Sequence, residues 1–173
     1  MYRPKKIKKH NETLKRFQKW FNNSEPHEIV MCEWAEISRL NDGIIIYKDK
    51  QIIFDWECRD DWKSESDKCD FLYPTLGQFE RKFDKRKKIE LTIQCDKNEK
   101  CFIAAWHVDF KSETKTVRRR TNYEWREIGG IRETEKFRVF RYSQIHEFKH
   151  ALKRAFEYNL RNHKCFEVRV NEQ

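Results

Sequence analysis

Short apolar runs rich in β-branched and aromatic residues recur along the chain, separated by polar turns. Residues 44–47 and 52–54 are two such runs, and the polar turn 48–50 between them predicts a β-hairpin. The same signal predicts further strands over 89–95, 101–108, 137–140 and 165–170. Between residues 28 and 40 the pattern fits a helix or a strand. Two charged stretches are predicted loops: 60–70 and the basic residues after 108.

Three other segments space their apolar residues as a helix does. The predicted helices run from an N-cap at Asn11 to about Phe21, from Pro74 to about Lys87, and over about 144–161 behind a cap at Ser143. No internal repeat divides the chain. This order of elements predicts a single domain of the α/β (α+β) class, with a mixed sheet of four to six strands flanked by helices. Residues 1–10 would form a basic arm, 11–108 the core and 109–173 a C-terminal extension.

The composition narrows the class of protein. The 173 residues include 38 Lys and Arg against 29 Asp and Glu, a formal charge of +9, and the mean hydropathy is −1.05. An aromatic content of 14% argues against disorder, because these large side chains can anchor a core. The longest apolar run, residues 101–106, is far shorter than the roughly 20 residues of a membrane-spanning helix, so no membrane association is expected.

The start of the chain is basic and polar, which predicts that no secretory signal peptide is present. A cytoplasmic, reducing location is therefore expected, in which the six cysteines remain thiols. The sequence contains no Cys-x-x-Cys pair, and a structural zinc site is accordingly not favoured.

Charge is unevenly distributed along the chain. Residues 1–19 hold eight basic residues and one acid, and further basic runs occupy 81–88 and 115–120. Residues 55–70 are the opposite, with seven acids against three bases. A basic chain with one acidic segment suits a protein that binds a polyanion and a divalent cation, although ordinary solvated faces would give the same pattern. The candidate nucleic-acid contacts are Lys5, Lys6, Lys8, Lys9, Arg118, Arg119 and Arg120.

Three acidic residues are placed to meet at one end of the predicted hairpin. Asp42 begins the first strand, and Asp55 lies near the end of the antiparallel second strand. Glu57 follows two residues later, on the same face of that strand. Three carboxylates there would repel one another unless they were protonated or bridged by a hard cation such as Mg²⁺. The alternative is that Asp42, within Asn-Asp-Gly, serves a tight turn and that the other two face solvent.

This arrangement is similar to the pattern of the PD-(D/E)xK nuclease superfamily, which includes many restriction endonucleases and the archaeal-type Holliday-junction resolvases. In that family one hairpin strand begins with Asp and the next carries acid-x-Lys, or sometimes acid-x-Glu. Asp42 matches the first acid, with Asn41 in place of the usual Pro. Asp55 matches the second acid, and Glu57 stands at the Lys position. The resemblance covers about residues 11–108 and implies a restriction-endonuclease-like fold and Mg²⁺- or Mn²⁺-dependent hydrolysis of DNA.

The resemblance also implies roles for residues outside the hairpin. The family often carries a Gln on the helix after the hairpin, and Gln78 is in that position. Lys82, one helical turn further, is the candidate for the missing positive charge. The alternatives for that charge are Arg59 and Lys63. A Glu early in the first helix is a recurrent metal ligand, and Glu12 is its positional match, with Glu36 as the competitor.

A second motif indicates different chemistry. Residues 146–150 read His-Glu-Phe-Lys-His, which fits the His-Glu-x-x-His pattern of zinc proteases. Lys149 would place a cation beside the metal, and an amphipathic helix explains the segment equally well, so a protease is disfavoured. Elsewhere, His107 could approach a phosphate or be an ordinary strand-edge histidine. Tyr123 and Trp125 form the best aromatic candidate for DNA contact, although core packing is the commoner role of such residues.

Together these features predict a metal-dependent DNA endonuclease, or a resolvase-like structure-selective one. The resemblance also implies a homodimer, because such enzymes commonly act as dimers to cut two strands. The main alternative is a non-catalytic nucleic-acid-binding protein or regulator on the same fold. A third interpretation is a protein whose basic surface binds an acidic protein partner. The endonuclease and the nucleic-acid-binding protein should both bind DNA at low salt. Only the endonuclease should nick DNA when a divalent cation is present.

Overall fold

The computed structural model describes residues 4–32, 42–62, 64, 69–112 and 115–166. These residues form two α-helices, α1 (Pro4–Asn22) and α2 (Ile145–Tyr158). The strands are β1 (Ile29–Met31), β2 (Gly43–Tyr47), β3 (Lys50–Cys58), β4 (Leu76–Phe79), β5 (Leu91–Cys95), β6 (Cys101–Trp106), β7 (Lys115–Thr121), β8 (Glu124–Thr134) and β9 (Arg138–Arg141). Short 3₁₀ helices span Glu80–Phe83, Lys85–Lys87, His107–Asp109, Tyr142–Gln144 and His163–Cys165.

Six of the strands form one mixed sheet in the order β1-β2-β3-β5-β6-β9. All neighbours are antiparallel except β3 and β5, which are parallel. Parallel neighbours require a crossover, and this one carries β4 and two 3₁₀ helices. A second sheet has the order β4-β8-β7. The predicted α+β class, with a mixed sheet and flanking helices, is confirmed.

Hydrophobic side chains cover both faces of the six-stranded sheet. On β6, Phe102 belongs to one cluster and Ile103 to the other, because side chains alternate between the faces of a strand. The first cluster is formed with α1 and α2, whose Phe17 and Phe148 rings lie 6.5 Å apart. The second cluster includes Leu76 of β4. The crossover therefore packs on the face opposite the two α-helices.

The first helix begins at Pro4, seven residues before the predicted cap at Asn11. Most of the predicted basic arm is therefore helix, since proline is tolerated in the first turn and lysine is a good helix former. The last helix, Ile145–Tyr158, confirms the prediction over about 144–161. Its Lys149 is buried, and its Nζ donates to the carbonyl oxygens of Phe21 and Ser24, where α1 ends.

The predicted helix over residues 74–87 is wrong. This segment forms β4 and two 3₁₀ helices, because Leu76–Phe79 pair with β8. Gly77 disfavours a helix and permits close packing, since a Cβ built there would lie 3.1 Å from Ile131. The basic loop expected after residue 108 is also wrong, because residues 115–134 form the β7–β8 hairpin. Its strand β7 is largely exposed, so no apolar alternation marked it in the sequence.

The expectation that all six cysteines are thiols is wrong for Cys69 and Cys101, which form a disulfide. In the ambiguous segment 28–40, Ile29–Met31 is a strand, and residues 33–41 lie outside the described part of the chain. The predicted strand over 165–170 lies mostly outside it as well. Among the described residues, no helix is long and apolar enough to cross a membrane.

Candidate active site

The β2–β3 hairpin brings Asp42 and Asp55 together. Gly43 pairs with Phe54, and the backbone N–H of Asp42 donates to the Phe54 carbonyl at 3.2 Å. A Cβ on Gly43 would lie 2.2 Å from the Phe54 ring, so only glycine fits beside this ring. The backbone N–H of Trp56 donates to Asp42 Oδ2 at 2.8 Å. The Asn-Asp-Gly sequence thus begins a strand, and the hairpin turn lies at residues 48–49.

Two residues of the crossover contact the carboxylate of Asp55, whose exposed fraction is 1%. Lys82 Nζ donates to Asp55 Oδ1 at 2.6 Å. Gln78 Nε2 donates to Asp55 Oδ2 at 3.0 Å. Gln78 lies on strand β4 and Lys82 on the 3₁₀ helix that follows, and not on one helix as predicted. The structure therefore places both residues at the carboxylate, through elements different from the predicted ones.

The two aspartates differ in their affinity for a proton. Burial raises the pKa of Asp55 to about 7, and the neighbouring Asp42 raises it too, although Lys82 opposes the shift. Burial would also raise the pKa of Asp42, but hydrogen bonds from His10 and the Trp56 N–H hold that pKa below its usual value. The side chains of the two aspartates are in hydrogen-bond contact. Asp55 is thus the member of the pair with the higher affinity for a proton.

His10 completes the surroundings of Asp42 and was not predicted from the sequence. Its Nε2 lies 3.1 Å from Asp42 Oδ1. Burial lowers the pKa of His10, but the Asp42 carboxylate outweighs it and the net shift is upward. Thr13 lies one turn further along α1 and accepts a hydrogen bond from Trp56 Nε1 at 3.0 Å. Its hydroxyl donates to the His10 carbonyl at 3.0 Å, so the helix itself holds His10 in place.

Glu57 does not join the aspartate pair. Its Oε2 lies 3.4 Å from Gln94 Nε2 on β5, and burial raises its pKa. Successive same-face residues of a strand are separated by about 6.6 Å, so a shared face does not make Glu57 and Asp55 share one point. In the described ranges, no three acidic, His or Cys side chains gather where one ion could be held. The expected trio of carboxylates is therefore a pair.

The structure does not bring Glu12 to this site. Its side chain is half exposed and lies 3.9 Å from Lys8 Nζ, one turn earlier on α1. Its competitor, Glu36, lies outside the described residues.

A hydrogen-bonded chain fixes the orientation of Gln78. Its Oε1 accepts from the Phe79 N–H at 3.1 Å, and its Nε2 lies 3.3 Å from Thr92 Oγ1. The Thr92 hydroxyl lies 2.6 Å from His107 Nε2. Burial lowers the pKa of His107 to about 3, so its imidazole is neutral. The Thr92 oxygen accepts from Gln78 Nε2, which keeps the amide NH₂ directed at Asp55.

A cavity of about 570 Å³ opens beside the aspartate pair. Its walls come from α1, the end of β3, β4, β5 and the β7–β8 hairpin. They are formed by Lys6, Lys9, His10, Glu57, Cys58, Arg59, Asp60, Asp61, Gly77, Gln78, Phe79, Gln94, Arg119 and Ile131. His10 and Gln78 contact the two aspartates directly, so the cavity is separated from the buried carboxylates by single side chains.

The predicted basic contacts fall into two groups. Lys6, Lys9 and Arg119 line the cavity. Lys6 and Lys9 also pair with Asp60, at 3.8 and 3.1 Å. The remaining predicted contacts are exposed and outside the cavity wall: Lys5, Lys8, Arg118 and Arg120. The hairpin also exposes Tyr123 and Trp125, whose exposed fractions are 92% and 67%.

The His-Glu-x-x-His segment lies on α2. His146 and His150 are exposed there, whereas Glu147 Oε2 accepts from Arg138 Nη2 at 2.7 Å. Lys149 between them is buried and holds the end of α1. The contacts of this helix are thus those of an amphipathic packing element.

Comparisons with protein-family models, with curated proteins and with solved structures find no match for this chain.

Proposed function

We propose that the protein is a metal-dependent nuclease that hydrolyses phosphodiester bonds in DNA. The observation that carries this proposal is the buried Asp55, which contacts a second carboxylate and a lysine. Two of the residues around this aspartate pair, His10 and Gln78, face a cavity whose walls carry both basic and acidic side chains. Structural ion pairs are usually made without a second buried carboxylate, since like charges in a low dielectric oppose ionisation.

The donor set fits a hard divalent cation. Mg²⁺ is commonly bound by one or two carboxylates, with water and substrate phosphate supplying the other ligands. Asp42 and Asp55 would hold the ion in the place of the proton between them. Each carboxylate oxygen accepts one hydrogen bond and retains a second lone pair that can bind the ion. A bound ion would polarise the phosphate and lower the pKa of water.

The protein side chains supply the remaining functions. Lys82 carries a positive charge beside Asp55, and its Nζ would stabilise the negative charge that develops on the phosphate. The Asp42 carboxylate raises the pKa of His10 against the effect of burial. His10 faces the cavity, and its imidazole would donate a proton to the leaving oxygen. Gln78 positions the Asp55 carboxylate through its fixed amide.

Incubation with supercoiled plasmid and with branched DNA, in parallel samples with Mg²⁺, Mn²⁺ and EDTA, tests the proposal. We expect nicking with either metal and none with EDTA. Asp55→Asn should abolish nicking while the circular dichroism spectrum stays unchanged. Asp49→Asn, in the exposed turn of the same hairpin, is the matched control and should cut like the native chain. Nicking that survives Asp55→Asn would contradict the proposed site.

One observation favours the non-catalytic alternative. Each oxygen of the aspartate pair already accepts a protein hydrogen bond, and Glu57 is not gathered with them. A nucleic-acid-binding protein that keeps a closed polar network would have this arrangement. Retention of DNA at low salt without nicking in any metal sample would select this function.

A further inference from the structure

We propose that the cavity holds one unpaired nucleotide, so that the substrate enters the site as a single strand. The inference rests on the proposed function, because that function makes the ligand a nucleic acid. It concerns the form of the substrate, which neither the aspartate pair nor the net charge specifies.

The dimensions of the cavity are the first argument. A sphere of 570 Å³ is about 10 Å across. The major groove alone of a B-form duplex is about 12 Å wide, so a duplex cannot enter a space of this size. The volume lies within the range of roughly 300–1,000 Å³ that is typical of sites for single small ligands. A nucleotide that occupied this cavity would therefore be unpaired.

The chemistry of the walls is the second argument. Phe79 and Ile131 offer apolar surface to a base, and one face of the Phe79 ring is covered by Arg81, at 4.6 Å. Gln94 offers an amide for the edge of a base. Its contacts with Glu57, Gly77 and Arg59 are all long, at 3.4–3.5 Å, so its hydrogen bonds can be exchanged for better ones.

Arg119 is the group that we assign to the phosphate. The other cations of the wall are committed to acids: Lys6 and Lys9 to Asp60, and Arg59 to Asp61. Arg119 has no ion-pair partner within the described ranges of the chain. It lies directly opposite Arg126 on β8, and like charges directly opposite each other in a hairpin are destabilising.

The other face of the hairpin carries a second basic surface. Side chains alternate along a strand, so the exposed Arg118 and Arg120 lie on the face opposite Arg119, with the exposed rings of Tyr123 at the tip and Trp125 across from Arg120. Basic side chains with interleaved aromatic rings are the usual surface for single-stranded nucleic acid, because they bind phosphates and stack on bases. A strand that leaves the cavity over the edge strand β7 would meet this surface.

Fluorescence anisotropy in EDTA tests the inference without any need for cleavage. The probes are a labelled thymidine oligonucleotide of about 12 nucleotides and a labelled duplex of the same length. We expect the single strand to bind about tenfold or more tightly than the duplex. Arg119→Ala should weaken single-strand binding about tenfold. Arg86→Ala is the charge-matched control, because this arginine is exposed and pairs with Asp84 away from the cavity, and it should change binding less than about twofold.

Two results of the direct binding measurements would overturn the inference. One is a duplex that binds as tightly as the single strand, and the other is an Arg119→Ala effect no larger than that of Arg86→Ala. Thymidine 5′-monophosphate serves as the probe for a free nucleotide. We expect it to compete only at concentrations about 100-fold above the Kd of the strand. Equal affinity would show that the cavity is a site for free nucleotides, and would reject the inference that it binds a strand.

The failure of this inference is distinct from the failure of the proposed function. Metal-dependent cleavage without a preference for single strands would leave the function and remove the inference. Arg119-dependent binding of single strands without cleavage in any metal would leave the inference, now for a binding protein, and remove the nuclease.

Discussion

Two hairpins of this chain carry its candidate chemistry, and they are built in opposite ways. The β2–β3 hairpin lies within the six-stranded sheet, and its Asp42 and Asp55 accept hydrogen bonds of 2.6–3.1 Å from protein donors. The β7–β8 hairpin lies at the edge of the second sheet, where β7 exposes Arg118, Arg119 and Arg120. One hairpin holds its charges in a low dielectric, and the other holds them in water.

The difference determines how substitutions should act. In the buried hairpin the energy of each charge depends on its partner and on pH, because desolvation is offset only by specific contacts. On the exposed hairpin, solvent and salt screen the charges, so each contributes little and nearly independently. We therefore expect large, coupled and pH-dependent effects around Asp55, and small, additive and salt-dependent effects along β7.

Removal of Lys82 should give the largest effect. Lys82→Met should lower cleavage by about 100- to 1,000-fold, because it removes the cation that we propose stabilises the reacting phosphate. It should also lower the free energy of unfolding by about 3–5 kcal/mol at pH 8, because the buried Asp55 must then either stay charged and unpaired or take up a proton far above its ordinary pKa. Denaturant unfolding measures the loss. Lys85→Met, on the exposed neighbouring 3₁₀ helix, is the control.

The loss of stability should shrink at pH 5. There Asp55, with its pKa of about 7, is protonated in the folded protein and needs no cation beside it. An equal loss of stability at pH 5 and pH 8 would show that Lys82 acts by packing and not by charge.

The pH dependence of the unliganded protein should be the next largest effect. Burial raises the pKa of Asp55 to about 7 from an ordinary value of 3.8, so the folded protein binds this proton more tightly than the unfolded chain does. The contribution of this proton to the free energy of unfolding amounts to about 4 kcal/mol. It is complete below pH 4 and is lost as the pH rises through 7. Thermal unfolding from pH 4 to 8 measures it.

Asp55→Asn should flatten this dependence, and Asp49→Asn should leave it intact. Mg²⁺ should raise the Tm of the native chain more at pH 8 than at pH 5, since the ion replaces the proton. A native chain with equal stability at pH 5 and pH 8 would mean that Asp55 is not desolvated as the structure shows.

The same contrast explains which parts could be predicted from the sequence. The β2–β3 hairpin is marked by β-branched runs that pack on both helices, so its strands and the convergence of Asp42 with Asp55 followed from local pattern. Strand β7 has no apolar face, and its arginines resemble a solvated loop. Residues 74–87 space Leu76, Phe79 and Phe83 as a helix would, and only pairing with β8 makes the segment a strand.

His10 shows how one boundary hides a site residue. With the helix predicted to begin at Asn11, His10 fell in a basic arm and attracted no role. Once α1 begins at Pro4, His10, Thr13 and Phe17 form one stripe toward the sheet, and the histidine reaches Asp42. The contact of Gln78 with Asp55 depends on the crossover between parallel strands, whose course no local pattern specifies.

Substitutions on the exposed hairpin should be small and additive. Arg118→Ala and Arg120→Ala should each weaken DNA binding by about threefold at low salt, and the double variant by about the product of the two. Each should reduce the slope of log affinity against log salt by about one, because one phosphate contact is lost. Thermal stability should not change. A loss of more than about 100-fold for either single variant, or a loss of folding, would remove the distinction between the two hairpins.

Substitution of Glu12 should have the smallest effect, and it tests whether α1 supplies a metal ligand. The side chain is half exposed and pairs with Lys8, so Glu12→Gln should leave cleavage and Mg²⁺ dependence within about twofold of the native chain. Glu57→Gln is the informative comparison, because Glu57 is half-buried and lines the cavity. We expect it to lower cleavage about tenfold or more. Initial rates over a Mg²⁺ titration measure both variants. Should Glu12→Gln raise the Mg²⁺ requirement, α1 would contribute a ligand, and the aspartate pair would not be the whole metal site.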